Sequence, residues 1–163
     1  MFHFLRPKSS PEKLADQIVP HLVERWLGSF DSAHPEFTCE PNTRLRAKRE
    51  WVLMQLCSFE IGGLEALKDE PGKQVLLREV QNRSADVFVS RQIFSNSDEV
   101  KRLIVDRLPI YGKSTPELVG KEFENYAGLE PDLFRRLGIA STFFTSLKAS
   151  TELVSGLLKS TRW

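Results

Sequence analysis

Trp51-Val52-Leu53-Met54-Gln55-Leu56-Cys57-Ser58-Phe59-Glu60-Ile61 is the stretch on which the fold turns. Eight of these eleven residues are apolar. Wound at about 100° per residue they surround the helix axis instead of lining one stripe. A helix that is apolar on every side must be covered on every side, so the stretch predicts a buried central helix over residues 43–68. Gly62-Gly63 follow, a pair that kinks a helix or lets a neighbour approach closely.

Outward from this helix, the chain reads as further helices. Ser9-Ser10-Pro11-Glu12 has the grammar of a helix start, with Ser9 as the cap, Pro11 in the first turn and Glu12 at the end of a capping box. Leu14, Ile18, Leu22 and Trp26 then form one stripe that stops at Gly28, and Pro20 inside it kinks or splits the helix. Residues 29–42 show no period, contain Pro35 and Pro41, and are expected to form a long loop. After the Pro71-Gly72 turn, Val75, Leu76, Val80 and Val87 have helical spacing. Residues 86–94 fit helix or strand, and helix is preferred because no strand partner is in sight. Asn96-Ser97-Asp98-Glu99 opens a helix striped by Val100, Leu103, Ile104, Leu108 and Tyr111. Ser114-Thr115-Pro116-Glu117 opens another, carrying Leu118, Val119, Phe123 and Tyr126 and ending at Gly128. From Asp132 a last helix or helix pair places Ile139, Ala140, Phe143, Phe144, Leu147, Val154, Leu157 and Leu158 within an arc of about 140°. The expectation is an all-α, single-domain bundle of about six helices spanning residues 1–163.

Composition narrows the function classes. The 163 residues hold 23 Lys and Arg against 22 Asp and Glu, with 3 His and 2 Cys. A net charge of +1 gives no global electrostatic case for nucleic acid. Two Cys make no disulfide framework, which favours a reducing compartment, the cytoplasm. Residues 1–8 lack the apolar stretch of a signal peptide, and no transmembrane segment is expected.

Catalytic and metal templates are missing. The sequence has no Glu-x-x-His of the di-iron bundle type, no His-Glu-x-x-His, no Cys-x-x-Cys, no phosphate-loop fingerprint and no Gly-x-Ser-x-Gly. No cofactor is implied. His34, Glu36 and Cys39 fall within one loop and are weak metal or thiol candidates, because their spacing matches no known ligand pattern. Cys57 reads as a core residue. Arg44, Arg46, Lys48 and Arg49 crowd the start of the central helix, where the macrodipole favours anions. They need compensation from Glu36, Glu40 and Glu50, or from a bound anion or acidic partner. Glu60 sits on an apolar face, where burial raises a carboxylate's pKa. Residues 133–163 carry Arg135, Arg136, Lys148, Lys159 and Arg162 against Glu152 alone, so the tail is basic while the rest of the chain is acidic.

Three function classes follow, in order. The first is an interaction or assembly subunit that meets a protein partner or a second copy through Phe143, Phe144, Leu147, Val154 and Leu158. The same C-terminal helix leaves peripheral membrane contact open. The second is a helical pocket for an apolar or anionic small molecule, and the third is an enzyme with unfamiliar carboxylate or cysteine chemistry. The missing templates make an enzyme the less favoured class.

Overall fold

Six helices account for nearly all the described chain: α1 (Pro11–Ala33), α2 (Pro41–Leu67), α3 (Val75–Ser90), α4 (Ser97–Lys113), α5 (Pro116–Ala127) and α6 (Leu133–Leu158). The structure is a computed structural model and describes residues 10–33, 40–67 and 74–158. There is no strand among the described residues, and the helices pack against one another as one all-α bundle.

Local chemistry sets most helix ends. Ser10, rather than Ser9, caps α1: its Oγ accepts the Lys13 amide at 3.3 Å, with Pro11 directly behind it. That places Glu12 one position too early for a capping box. Asn96 caps α4 by accepting the Glu99 amide at 2.8 Å, and the Glu99 carboxylate accepts the Ser95 amide at 3.1 Å. Asp132 does the same for α6 through the Arg135 amide, at 2.7 Å. Gly128 ends α5 at φ +67°, the left-handed turn that glycine adopts without a Cβ clash.

Three expectations about extent change. Gly28 does not stop α1, which runs unbroken through Pro20 and on to Ala33. The loop expected over 29–42 is therefore helical at both ends, because Pro41 also opens α2. Tertiary contacts carry α1 past its glycine: the Phe30 ring lies 6.0 Å from the Trp51 ring, and the Trp51 indole donates to Trp26 O at 3.1 Å. The ambiguous stretch 86–94 is helical through Ser90 only. Gln92 then turns at φ 58°, and Ile93 donates its amide to Phe88 O at 2.9 Å, folding Ile93 and Phe94 back into the core.

The core is built around α2. Trp51 to Phe59 are nine consecutive buried residues. Helix α6 lies along α2, with α4, α5 and α1 completing the cover, while α3 packs chiefly on α1 and α4. Gly62 lets α6 close in, since a Cβ there would meet Leu147 O at 2.7 Å. Gly120 plays the same part between α5 and α6, where a Cβ would meet Arg136 O at 2.5 Å. Helices α1 and α6 both rest on α2 but scarcely touch each other, and that separation matters below. No helix among the described residues is long and apolar enough to cross a membrane.

The glycines give a paired expectation. Gly28→Ala has open space around its new methyl and gains about 0.5–1 kcal/mol from helix propensity. Gly120→Ala forces α5 from the α6 backbone and loses about 1–3 kcal/mol despite the same propensity gain. Urea unfolding of the two variants measures both signs.

Candidate functional site

The basic turn at the start of α2 is dispersed by the fold. Arg44 and Lys48 face Asp31 at the end of α1, at 3.2 and 3.9 Å, and both lie over the Phe30 ring. Arg46 donates to Thr43 Oγ1 at 3.3 Å, and its guanidinium lies against Gly128. Arg49 points the other way, donating to Ile93 O at 2.6 Å and covering the Phe94 ring at 5.4 Å. Among the described residues Asp31, which the sequence placed in a loop, is a compensating carboxylate; Glu36 lies outside them. Glu50 is turned inward to a different partner. Four cations adjacent in sequence do not make one anion site.

The apolar face named from the last helix is mostly core. Phe143 and Val154 are fully buried, Phe143 lying 5.6 Å from the Tyr111 ring. Leu147 is half-buried, and only Phe144 is exposed, at 37%. The side chain of Leu158 lies outside the described residues. An arc of about 140° is wide enough to be buried against α2 and α5, with Tyr111 of α4 reaching Phe143, so periodicity marked the inward side. The exposed apolar residues stand at the other end of α6: Phe134 is 85% exposed, Leu133 64% and Leu137 54%. The sequence signal was present as three large apolar residues in the first five positions of a helix, off the main stripe.

Below that turn lies a buried ion cluster. Glu124 on α5 is almost wholly buried and accepts from Arg135 Nε at 3.1 Å, Arg136 Nε at 2.5 Å and the Asp132 amide at 3.0 Å. Arg135 also bonds to Glu130 O. Two of the tail's five cations are engaged here, sharing one carboxylate. Lys159 and Arg162 lie outside the described residues, leaving Lys148 and Glu152 as the charges exposed on the body of α6.

A second buried carboxylate was not anticipated as a centre. Tyr111 donates to Glu50 Oε1 at 2.6 Å, Arg107 Nε lies 3.1 Å from the same oxygen, and the Arg107 guanidinium stacks 3.3 Å above the Tyr126 ring. Burial pushes the Glu50 pKa up, against the downward pull of the Tyr111 hydroxyl and Arg107. A cleft of about 130 Å3 reaches this group past Arg46, Arg49 and Glu99. The signal was weak in sequence, because Arg107 and Tyr111 are merely one turn apart on α4 and 57 residues or more from Glu50.

Glu60 lies on the flank of α2 and makes no hydrogen bond or ion pair among the described residues. Burial alone raises its pKa to about 7. Cys57, one turn earlier, is buried, and burial pushes its thiol far above the ordinary value. A neutral, enclosed thiol is a core residue and not a nucleophile. His34, Glu36 and Cys39 lie outside the described residues. Among those described, no group of three His, Cys, Asp or Glu could hold a metal ion.

A groove of about 350 Å3 opens where α1 and α6 diverge over α2. Helix α1 contributes Leu22, Arg25, Trp26 and Ser29. Helix α6 faces it with Ser141, Thr142, Thr145, Ser146, Ala149, Ser150 and Leu153, and Gln55 of α2 lies at the base. This face of α6 is rich in Ser and Thr. Its polarity became meaningful once α1 stood opposite.

No family model, no curated protein and no solved structure matches this chain.

Two responses test these assignments. An unfolded glutamate ionises near 4.5 and Glu60 near 7, so the folded state holds its proton more tightly. Glu60 thus lowers stability progressively as pH rises from about 4.5 to about 7. Glu60→Gln should remove that slope and stabilise the fold above neutrality by about 1–3 kcal/mol, read from the difference between the two proteins' pH–stability profiles. Arg107→Ala should cost about 3–5 kcal/mol, because it strands the buried Glu50 carboxylate. The double variant Arg107→Met with Glu50→Gln should recover much of that loss in chemical denaturation.

Proposed function

We propose that the protein is an interaction module that docks onto a protein partner through the first two turns of α6. The exposure of Leu133, Phe134 and Leu137 together carries the reading. Single exposed apolar residues are ordinary, whereas three large ones on adjoining positions of one rigid helix form a contiguous patch of the kind that marks docking sites.

The patch is held rigid. Glu124 grips Arg135 and Arg136 from beneath, and the close approach at Gly120 locks α5 against the same turn. A preorganised helix end loses little entropy on binding, so its apolar area converts efficiently into affinity.

The rim indicates the partner's chemistry. Glu130 and Asp132 are exposed beside the patch, and Glu117 is exposed on the first turn of α5, while Arg135 and Arg136 are turned onto Glu124 beneath it. A symmetric pairing of two copies about this patch sets these acids against each other. A different protein, with an apolar pocket and basic edges, fits better.

The chain alone should be monomeric by light scattering. A photo-crosslinking residue at position 134 should capture a discrete partner in host extract, and one at Val105, an isolated exposed residue of α4, should not. Phe134→Ala should weaken binding to the captured partner by about 2 kcal/mol or more. Its unfolding midpoint should not move. Equal capture at both positions, or self-association through the patch, would overturn the reading.

A further inference from the structure

We infer that the groove between α1 and α6 is a binding site for a small, hydroxyl-rich anion of the sugar-phosphate or sugar-acid class. Gln55 is only 2% exposed, and its carbonyl oxygen accepts no hydrogen bond. Its amide nitrogen donates none within the described residues either. Protein interiors pair more than about 90% of such groups. A carboxamide left idle beside a groove, rather than inside a sealed core, points to a partner that enters from the groove.

What enters is constrained by the walls. The hydroxyls of Ser141, Thr145 and Ser146 make no hydrogen bond within the described residues. Those of Thr142 and Ser150 are already turned back to the α6 carbonyls. Three free hydroxyls on one wall and a free carboxamide at the base offer donors and acceptors alike. A half-turn of the Gln55 amide presents either its oxygen or its nitrogen. Ligand hydroxyls, which also donate and accept, match such a surface in every orientation.

The charge is set at the rim. Arg25 lines the groove, is exposed, and makes no ion pair among the described residues. No carboxylate among the described residues lines the groove to neutralise it. An anionic group on the ligand takes that place, as guanidinium geometry favours for carboxylate and phosphate. A volume of about 350 Å3 lies at the small end of ligand pockets, fitting a monosaccharide derivative and excluding a nucleotide cofactor.

The test is calorimetric titration of the full chain with a hexose phosphate, gluconate, the neutral hexose and inorganic phosphate. The first or second should bind at least tenfold more tightly than the neutral hexose and inorganic phosphate, because each of those engages only one end of the site. Preference between the first two identifies the anion. Gln55→Leu should abolish binding and raise the unfolding midpoint, since it removes an unpaired buried polar group; a purely structural glutamine would lower it. Arg25→Ala, on an exposed position, should fold normally and lose binding at least tenfold. It keeps the test decisive if Gln55→Leu fails to fold. Silence from all four probes, or binding unchanged by Arg25→Ala, overturns the inference and leaves a groove filled by water. Neither result bears on the docking patch of α6, whose variants lie outside this groove.

Discussion

A nine-residue run buried on every side, Trp51 to Phe59, is the constraint that the rest of the molecule obeys. A helix can hide one face against one neighbour. Hiding all of α2 takes four, and α6, α4, α5 and α1 are arranged to supply them. Aromatic rings fill the angles between these helices. Trp51 alone meets Phe30 of α1 and Phe123 of α5, each at about 6 Å and edge-on. Close packing leaves no slack in such a centre. Helices can draw close only where side chains are missing, which is why Gly62 and Gly120 stand at the tightest approaches.

Full burial also traps polar groups, and the fold treats three of them differently. Glu50 is held by Tyr111 and Arg107, tying α2 to α4. Glu124 is held by two arginines, tying α5 to the start of α6. Such ion pairs give up hydration and contribute modest net stability, but removing one partner is costly, so they fix which surfaces meet. The Gln55 side chain has no hydrogen-bond partner among the described residues and lies at the base of the groove between α1 and α6.

The two proposed sites share α6 but use it at different places. Its first two turns, clamped from below by Glu124, push Leu133, Phe134 and Leu137 into solvent. Its middle turns offer small hydroxyl side chains across from α1. Both depend on α6 being pressed along α2, one by anchoring the apolar end and the other by keeping the far wall of the groove in place.

The sequence by itself determined the helices and the centre. Trp51–Ile61 announced a helix apolar all around, and that pattern survives any arrangement of neighbours, because only burial on every side accommodates it. Caps at Asn96 and Asp132 and the stop at Gly128 were likewise legible, being bonds between residues a few positions apart. The sequence also marked Glu60 as a carboxylate shifted by burial, since its apolar neighbours lie on its own helix. Only the tertiary structure decided the rest. Phe143 and Val154 belong to the core and Phe134 to the surface because α2 and α5 occupy one side of α6, which no periodicity can indicate. The four cations of α2 part company because they meet Asp31 of α1, Ile93 after α3 and Gly128 after α5. Arg107 finds Glu50 across 57 residues, and Gln55 acquires its groove only because α1 and α6 diverge above it. Contacts within a turn or two follow from spacing; contacts between helices depend on how whole surfaces fit.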